Sequence, residues 1–290
     1  MRRLVGVTLT LVALAVAAAP VAARGQVSVV ASFYPVAWAA EQVGGARVAV
    51  ENLTPAGAEP HDLELTTDQR DAVEDAAVAI VLGNGFQPAV EDAADQRDGP
   101  TVTLLDRPAI GRGASKDSHV WLDPNRMIAI VDAVADALAK ASPNDRAAFH
   151  ERAASLAAEL RALDQRYRDG LADCRLDTIV TSHDAFGWLA KAYGLRQLGV
   201  AGITPDAEPD ARRLGELADL VRERGITTIF TEELVSPRIA ETLAREAGGV
   251  RTQVLNPLEG LTPSERRAGD DYITVMDANL EKLRAALECT

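Results

Sequence analysis

The feature that most constrains the fold is a regular alternation of short β-rich segments with longer amphipathic segments, on both sides of one long helical stretch. The β-rich segments are at residues 27–30, 48–50, 78–82 and 101–105 before the stretch, and at 178–180, 198–200, 227–230 and 252–255 after it. Strands that alternate with helices form parallel sheets with helices on both faces. The sequence therefore predicts an α/β fold.

The stretch from Pro124 to Asp173 is rich in Ala, Leu, Arg and Asp at helical spacing, with one interruption at Ser142-Pro143. Serine followed by proline is typical of a helix N-cap and first helical position. This pattern predicts a shorter helix, then a long one from about 143 to 170. A terminal helix is predicted over 264–287.

We expect two Rossmann-like lobes joined by this long, rigid helix. The predicted divisions are a signal peptide at 1–23, an amino-terminal lobe at 24–123, a helical region at 124–173 and a carboxyl-terminal lobe at 174–290.

The amino terminus has the composition of an export signal. A basic start at Arg2-Arg3 precedes an uncharged apolar run from Leu4 to Ala19, and Val21-Ala22-Ala23 supplies the small residues that a signal peptidase requires. The run is too short for a membrane span. We expect cleavage after Ala23 and a location in the periplasm. No cysteine lies near that point, so no lipid anchor is expected.

The only two cysteines are Cys174 and Cys289. An even pair in an exported chain usually forms a disulfide, and we expect one here. The formal net charge is −13 with no basic run, which argues against a nucleic-acid partner.

Three of the four histidines, His61, His119 and His183, lie in polar segments typical of loops, and His183 directly follows a predicted strand. Ligands collect at the carboxyl ends of strands in such sheets. Three imidazoles from distant segments form a common site for Zn, Cu, Ni or Fe. Each could instead be only a turn or capping residue.

Nearby acidic residues have two possible roles. Asp62, Asp123 and Asp184 could orient the imidazole rings or cap helices. His150 lies among charged residues within the long helical stretch, and we expect it at the surface.

The histidine-containing segments and several other motifs of this sequence resemble those of the zinc-binding group of metal-specific solute-binding proteins of ABC importers. The resemblance covers essentially the whole chain after the signal. It is carried by Ala31-Ser32-Phe33-Tyr34-Pro35, Glu59-Pro60-His61-Asp62, His119-Val120-Trp121-Leu122-Asp123-Pro124, His183-Asp184-Ala185-Phe186-Gly187, Phe230-Thr231-Glu232 and Asn256-Pro257-Leu258.

This resemblance implies a metal site in the cleft between the lobes and no catalysis. His61 and His119 would come from the first lobe and His183 from the second. Manganese-binding relatives have a carboxylate at the third position, so His183 favours Zn²⁺ as the transported ligand. The implied partners are a membrane permease with its cytoplasmic ATPase, and the chain is expected to be a monomer.

Two features depart from the family. Asn256 stands where an aspartate ligand is common, so the fourth donor could be Asn256, water or an acid such as Glu259. Because an amide oxygen is a poorer donor to Zn²⁺ than a carboxylate, we expect Asn256→Asp to tighten zinc binding. Glu232 is expected to accept a hydrogen bond from a ligand histidine. The segment from Arg107 to Ser118 has no histidine-rich loop, which leaves room for zinc delivery by a periplasmic metallochaperone.

Three other functions remain open at this point. A manganese-binding importer component is the first alternative. A secreted zinc hydrolase is the second, with Glu232 or Glu233 as general base, because three histidines and an open position can also be catalytic. An adhesin-like surface role is the third, and the missing anchor cysteine counts against it.

Overall fold

The computed structural model describes residues 25–111, 116–205 and 211–290, and these form two α/β lobes connected by a long helix. The predicted signal peptide lies outside the described residues. Among the described residues, no helix combines the length and apolar character needed to cross a membrane.

In the residues that the structure describes, the first lobe contains one four-stranded parallel sheet and three α-helices. Its strands are β1 (Val27–Ala31), β2 (Val48–Asn52), β3 (Val78–Val81) and β4 (Thr101–Thr103), and its helices are α1 (Tyr34–Gly44), α2 (Thr67–Asp75) and α3 (Pro88–Gln96). The strand order is β2-β1-β3-β4. The four strands predicted for this lobe are therefore confirmed, and each observed end lies within two residues of the predicted one.

Two long helices follow, α4 (Pro124–Ala141) and α5 (Arg146–Gly170), separated by a short 3₁₀ turn at Pro143–Asp145. The predicted break at Ser142-Pro143 is confirmed. The Ser142 hydroxyl donates to the Asp145 carboxylate rather than capping the helix backbone. The long helix α5 leads directly into the second lobe, as predicted. His150 lies on its exposed face.

The second lobe repeats the strand order of the first, as β6-β5-β7-β8 with every pair parallel. Its strands are β5 (Thr178–Thr181), β6 (Arg196–Gly199), β7 (Thr228–Thr231) and β8 (Arg251–Val254), and its helices are α6 (Gly187–Ala192), α7 (Ala211–Glu223), α8 (Arg238–Glu246), α9 (Pro263–Ala268) and α10 (Tyr272–Leu287).

The single terminal helix predicted over 264–287 is wrong, because the structure divides it into α9 and α10. Gly269 ends α9 in the left-handed conformation, with φ of 84°, where glycine carries no steric penalty. Asp271 then caps α10 by accepting a hydrogen bond from the backbone N–H of Thr274 at 2.9 Å. Two local signals, a glycine stop and an aspartate start, therefore interrupt an otherwise continuous helical pattern.

The expected disulfide between Cys174 and Cys289 is present. It joins the end of α10 to the segment that follows α5. Backbone hydrogen bonds from Leu176 N–H to the Leu287 carbonyl, and from Thr290 N–H to the Asp173 carbonyl, flank it. The bridge therefore fixes the chain terminus against the beginning of the second lobe.

Candidate metal centre

The three histidines singled out by sequence meet in the cleft between the two sheets. His61 lies in the loop after β2, His119 immediately precedes a 3₁₀ turn at Val120–Leu122, and His183 follows β5 by two residues. Because the strands of each sheet are parallel, loops from their carboxyl ends collect at one edge. The two sheets present these edges to each other.

Glu259 completes the group. Its Oε1 atom lies 3.2 Å from Nε2 of His61, 3.1 Å from Nε2 of His119 and 3.3 Å from Nε2 of His183. The Nε2 atoms of His119 and His183 are 3.4 Å apart. All four donor atoms lie within 4.8 Å of one another. The arrangement can accept one metal ion at its centre.

These donors are withdrawn from solvent. The exposed side-chain fraction is 0% for His119 and His183, 1% for Glu259 and 6% for His61. Aromatic rings form part of the wall: Phe86 packs edge-on against His61 with ring centroids 4.5 Å apart, and Trp121 packs against His119 at 5.2 Å. Electrostatic interactions at such a site are stronger than in water.

Two carboxylates hold the far side of the imidazole rings. Nδ1 of His119 lies 2.8 Å from Oδ1 of Asp117, and Nδ1 of His183 lies 2.7 Å from Oε2 of Glu232. The backbone N–H of His183 also donates to Glu232. An acidic acceptor at Nδ1 keeps a proton on that nitrogen, so Nε2 is the atom that faces the centre of the site and would bind a metal ion there after losing its own proton.

The charges in this cluster shift one another's pKa values. Burial alone would lower the pKa of His183, but its contacts with Glu232 and Glu259 outweigh burial and raise it to about 10. The pKa of His119 is also raised, because its bonds to Asp117 and Glu259 exceed the opposing effect of burial. Burial would raise the pKa of Glu259, but hydrogen bonds from the histidines hold it well below the usual value.

The structure does not place Asn256 among the histidines. Its Oδ1 atom accepts from the backbone N–H of Leu258 at 2.7 Å, and its Nδ2 atom donates to Glu265 at 3.0 Å. Both polar atoms of the amide are therefore engaged, one by Leu258 in the turn and the other by Glu265 on α9. Of the donors considered from the sequence, Glu259 lies beside all three histidines, and Glu232 lies 2.7 Å from Nδ1 of His183.

The three aspartates considered as orienting groups have other contacts. Asp123 caps α4 through Asn125 N–H at 2.9 Å, so its capping alternative is confirmed. Asp184 accepts from Gly199 N–H at 2.9 Å. Asp62 donates its own backbone N–H to Glu59. Sequence reasoning missed Asp117, whose signal was only its position two residues before His119.

Comparison with known proteins agrees with this architecture. Residues 29–286 match the family described as "ZnuA: Zinc-uptake complex component A periplasmic". The chain belongs to this family. The resemblance inferred from the sequence motifs is thereby confirmed.

Individual relatives are similar over most of the chain. It is 37% identical to the zinc-binding protein AdcA of Streptococcus pyogenes and 36% identical to the zinc-binding lipoprotein AdcA of Streptococcus pneumoniae, over 91% and 90% of this chain. It spans only about half of each relative, 56% of their length.

The structure is also similar to the Zn(II)-bound ZnuA-like domain of Streptococcus pneumoniae AdcA. The TM-score is 0.78 at 36% sequence identity, and the match covers 91% of this chain and 100% of that domain. The two-lobed α/β architecture predicted from the sequence is confirmed by this likeness and by the two parallel sheets.

Proposed function

We propose that this protein captures Zn²⁺ outside the cytoplasm and delivers it to an ABC-type metal importer. The observation that carries the proposal is the convergence of three imidazole Nε2 atoms and one carboxylate oxygen within 4.8 Å of one another. In this proposal His61, His119, His183 and Glu259 are the ligands, and Asn256 is replaced by Glu259 as the fourth donor.

The spacing of the donors suits zinc. Zn–N bonds of about 2.0–2.1 Å in a tetrahedral site imply donor atoms about 3.3–3.4 Å apart. Four of the six distances between donor atoms are 3.1 Å to 3.4 Å, and all six are within 4.8 Å. Three nitrogen donors also favour zinc over manganese, which prefers a site richer in oxygen. The manganese alternative is therefore less well supported.

Four protein donors favour capture over catalysis. Catalytic zinc sites usually have three protein ligands and keep the fourth position for water or substrate. Here Glu259 takes that position and is 1% exposed. The hydrolase alternative would need Glu232 as a general base, but Glu232 lies against His183 on the side away from the metal position.

The partners follow from the family. A component of a zinc-uptake complex requires a membrane permease and its ATPase, and we propose these as the recipients of the ion. Delivery by a periplasmic metallochaperone and a monomeric state remain predictions. The expectation of no lipid anchor is not supported, since one relative is named a lipoprotein.

Two measurements test this proposal: the metal content of the purified protein, and competition between Zn²⁺ and Mn²⁺ for the site. Protein purified without added metal should contain zinc, and at equal free concentrations Zn²⁺ should displace Mn²⁺. His119→Ala should abolish tight zinc binding, whereas His150→Ala should not, because His150 is an exposed histidine on α5. Retention of Mn²⁺ against Zn²⁺ would refute the zinc assignment. Equal zinc binding by both variants would refute the site.

The same protein tests the hydrolase alternative. Zinc-loaded protein should not turn over ester, phosphate or amide substrates above a metal-free control, and turnover lost in His119→Ala would overturn the capture proposal. Transport is tested separately: cells lacking the chain should accumulate less zinc under zinc limitation, and restoring the His119→Ala variant should not correct this.

A further inference from the structure

Asn256 holds the turn that presents Glu259, although its own side chain lies outside the metal cluster. Asn256 is 3% exposed, and its Oδ1 atom accepts the Leu258 N–H across Pro257. Leu258 has a φ of 57° and is completely buried. A positive φ is unfavourable for leucine, so the surrounding contacts must maintain it.

Two asparagines fix the backbone at the beginning of this turn. The backbone N–H of Asn256 donates to Oδ1 of Asn279 at 3.0 Å, and Nδ2 of Asn279 donates to the Asn256 carbonyl at 2.7 Å. Asn279 lies on α10 and is fully buried. The turn therefore begins from a fixed point on the second lobe.

The Asn256 side chain also joins the two ends of the loop. Its Nδ2 atom donates to Oε1 of Glu265 at 3.0 Å. The other oxygen of Glu265 accepts the Thr262 N–H at 2.7 Å in the capping box of α9. Glu259 lies between these closed ends.

The first lobe contacts the same loop. The indole N–H of Trp121 donates to the Pro257 carbonyl at 2.8 Å, and Gly57 N–H donates to the Leu261 carbonyl at 3.0 Å. Trp121 is two residues from His119, and Gly57 is four residues from His61. The loop is thus aligned with both first-lobe ligands.

We infer that Asn256 is a positioning residue for Glu259, and that the amide is required at this position because Glu265 accepts a hydrogen bond from it. The inference rests on the proposed zinc site. An aspartate could still accept the Leu258 N–H, but its second oxygen would face the Glu265 carboxylate. Two carboxylates at hydrogen-bond distance repel unless one is protonated. The expectation that Asn256→Asp tightens zinc binding is therefore reversed.

The hydrogen-bond pattern provides a rescue experiment. In the double variant Asn256→Asp/Glu265→Gln, the new amide N–H can donate to the new carboxylate, while the amide oxygen still accepts the Thr262 N–H. Every polar atom of the original arrangement is then paired again. The double variant should therefore recover the zinc affinity that Asn256→Asp loses.

The measurements are zinc affinity by competition with a chelator and the absorption spectrum of the Co²⁺-substituted protein, which reports coordination geometry. Asn256→Asp and Asn256→Ala should each weaken zinc binding about 10- to 100-fold, as loss of an outer hydrogen-bond partner commonly does, and should alter the Co²⁺ spectrum. The double variant should restore both properties most of the way.

Val221→Ala is the matched control. Val221 is fully buried in a separate core cluster of the second lobe, so its truncation lowers stability without touching the turn. It should leave zinc affinity and the Co²⁺ spectrum unchanged. If Asn256→Asp behaves in the same way, or the double variant binds no better than Asn256→Asp, the inference is wrong.

Failure of the proposed function has a different signature. Wild-type protein would then fail to bind zinc. If Asn256→Asp does not accumulate as folded protein, Asn256→Ala and the double variant decide: wild-type affinity in Asn256→Ala overturns the inference, and weakened binding there with recovery in the double variant supports it.

Discussion

Glu259 Oε1 lies 3.1 Å from His119 Nε2, although 140 residues separate the two in the sequence and they belong to different lobes. This contact joins the two lobes across the cleft, and both side chains are buried from solvent. Because His61 and His183 contact the same oxygen, this one carboxylate joins histidines from both lobes. A metal ion at this point would connect the lobes through its own bonds.

The first prediction concerns Glu259, which contributes the only negative charge among the four proposed donors. Removing one partner from a buried charged group costs about 3–5 kcal/mol, and 3 kcal/mol corresponds to roughly a hundredfold change in affinity. Glu259→Gln should therefore weaken zinc binding by at least about a hundredfold. Competition with a zinc chelator measures this.

Glu233→Gln is a suitable control for Glu259→Gln. Glu233 is a half-buried glutamate one residue from Glu232, and it is not one of the four donors. The zinc affinity of the Glu233→Gln variant should stay within a few-fold of that of the wild type. If the two variants bind zinc equally well, Glu259 is not a ligand.

The second prediction concerns the protons that are released when zinc binds. The pKa of His183 is raised to about 10, so at neutral pH this side chain is imidazolium, with a proton on each ring nitrogen, before metal binds. Zinc requires the neutral form, and binding must release one of these protons. Zinc affinity should rise with pH by about tenfold per pH unit for each proton displaced, until pH reaches about 10.

Titration calorimetry near neutral pH, in buffers that differ in ionisation enthalpy, measures this proton release directly. Glu232→Gln removes one of the carboxylates that raise the pKa of His183, so this variant should release fewer protons on binding zinc. Binding heats that are identical in every buffer would contradict the raised pKa.

The fold was predictable from the sequence because it depends on local periodicity. Alternating β-rich and amphipathic segments led to both sheets and to α5. The terminal helix was predicted less well, since α9 and α10 share one apolar pattern and only Gly269 and Asp271 mark the break.

The site was predictable in part, and for a different reason. His61, His119 and His183 were found because histidine is rare in this chain and each lies in a loop. Glu259 is one of many acidic residues, and it follows Leu258, whose positive φ no local pattern encodes. Asn256 was considered as a ligand because of its position along the chain, while its contacts are with Leu258, Glu265 and Asn279.

The third prediction distinguishes Asp117 from Asp123, two aspartates near His119 in sequence. Asp117 contacts the His119 ring, whereas Asp123 caps α4. Asp117→Ala should weaken zinc binding about 10- to 100-fold. Asp123→Ala should instead lower the free energy of unfolding by about 1 kcal/mol, as loss of an N-cap does, and leave zinc affinity nearly unchanged.

Chelator competition and denaturant unfolding of both variants test this distinction. Asp117→Asn is an additional check, because its amide oxygen can still accept from Nδ1 of His119 and should retain part of the affinity. Equal zinc affinities for the two alanine variants would show that Asp117 does not orient His119.

The last prediction concerns the disulfide, which closes a loop between residues 115 apart in the sequence. In the chain-entropy account, a loop of this length stabilises the folded protein by on the order of 4 kcal/mol. At roughly 2–4 °C per kcal/mol for a chain of this size, the double variant Cys174→Ser/Cys289→Ser should melt on the order of 10 °C lower. The bridge joins α10 to the segment after α5, whereas the histidines lie at the carboxyl ends of the strands, so zinc affinity should change little.

Calorimetric melting of the metal-free variant, together with chelator competition, measures both quantities. A loss of affinity as large as that of His119→Ala would mean that the bridge holds the cleft itself. Two reactive thiols in native exported protein would show that the bridge does not form.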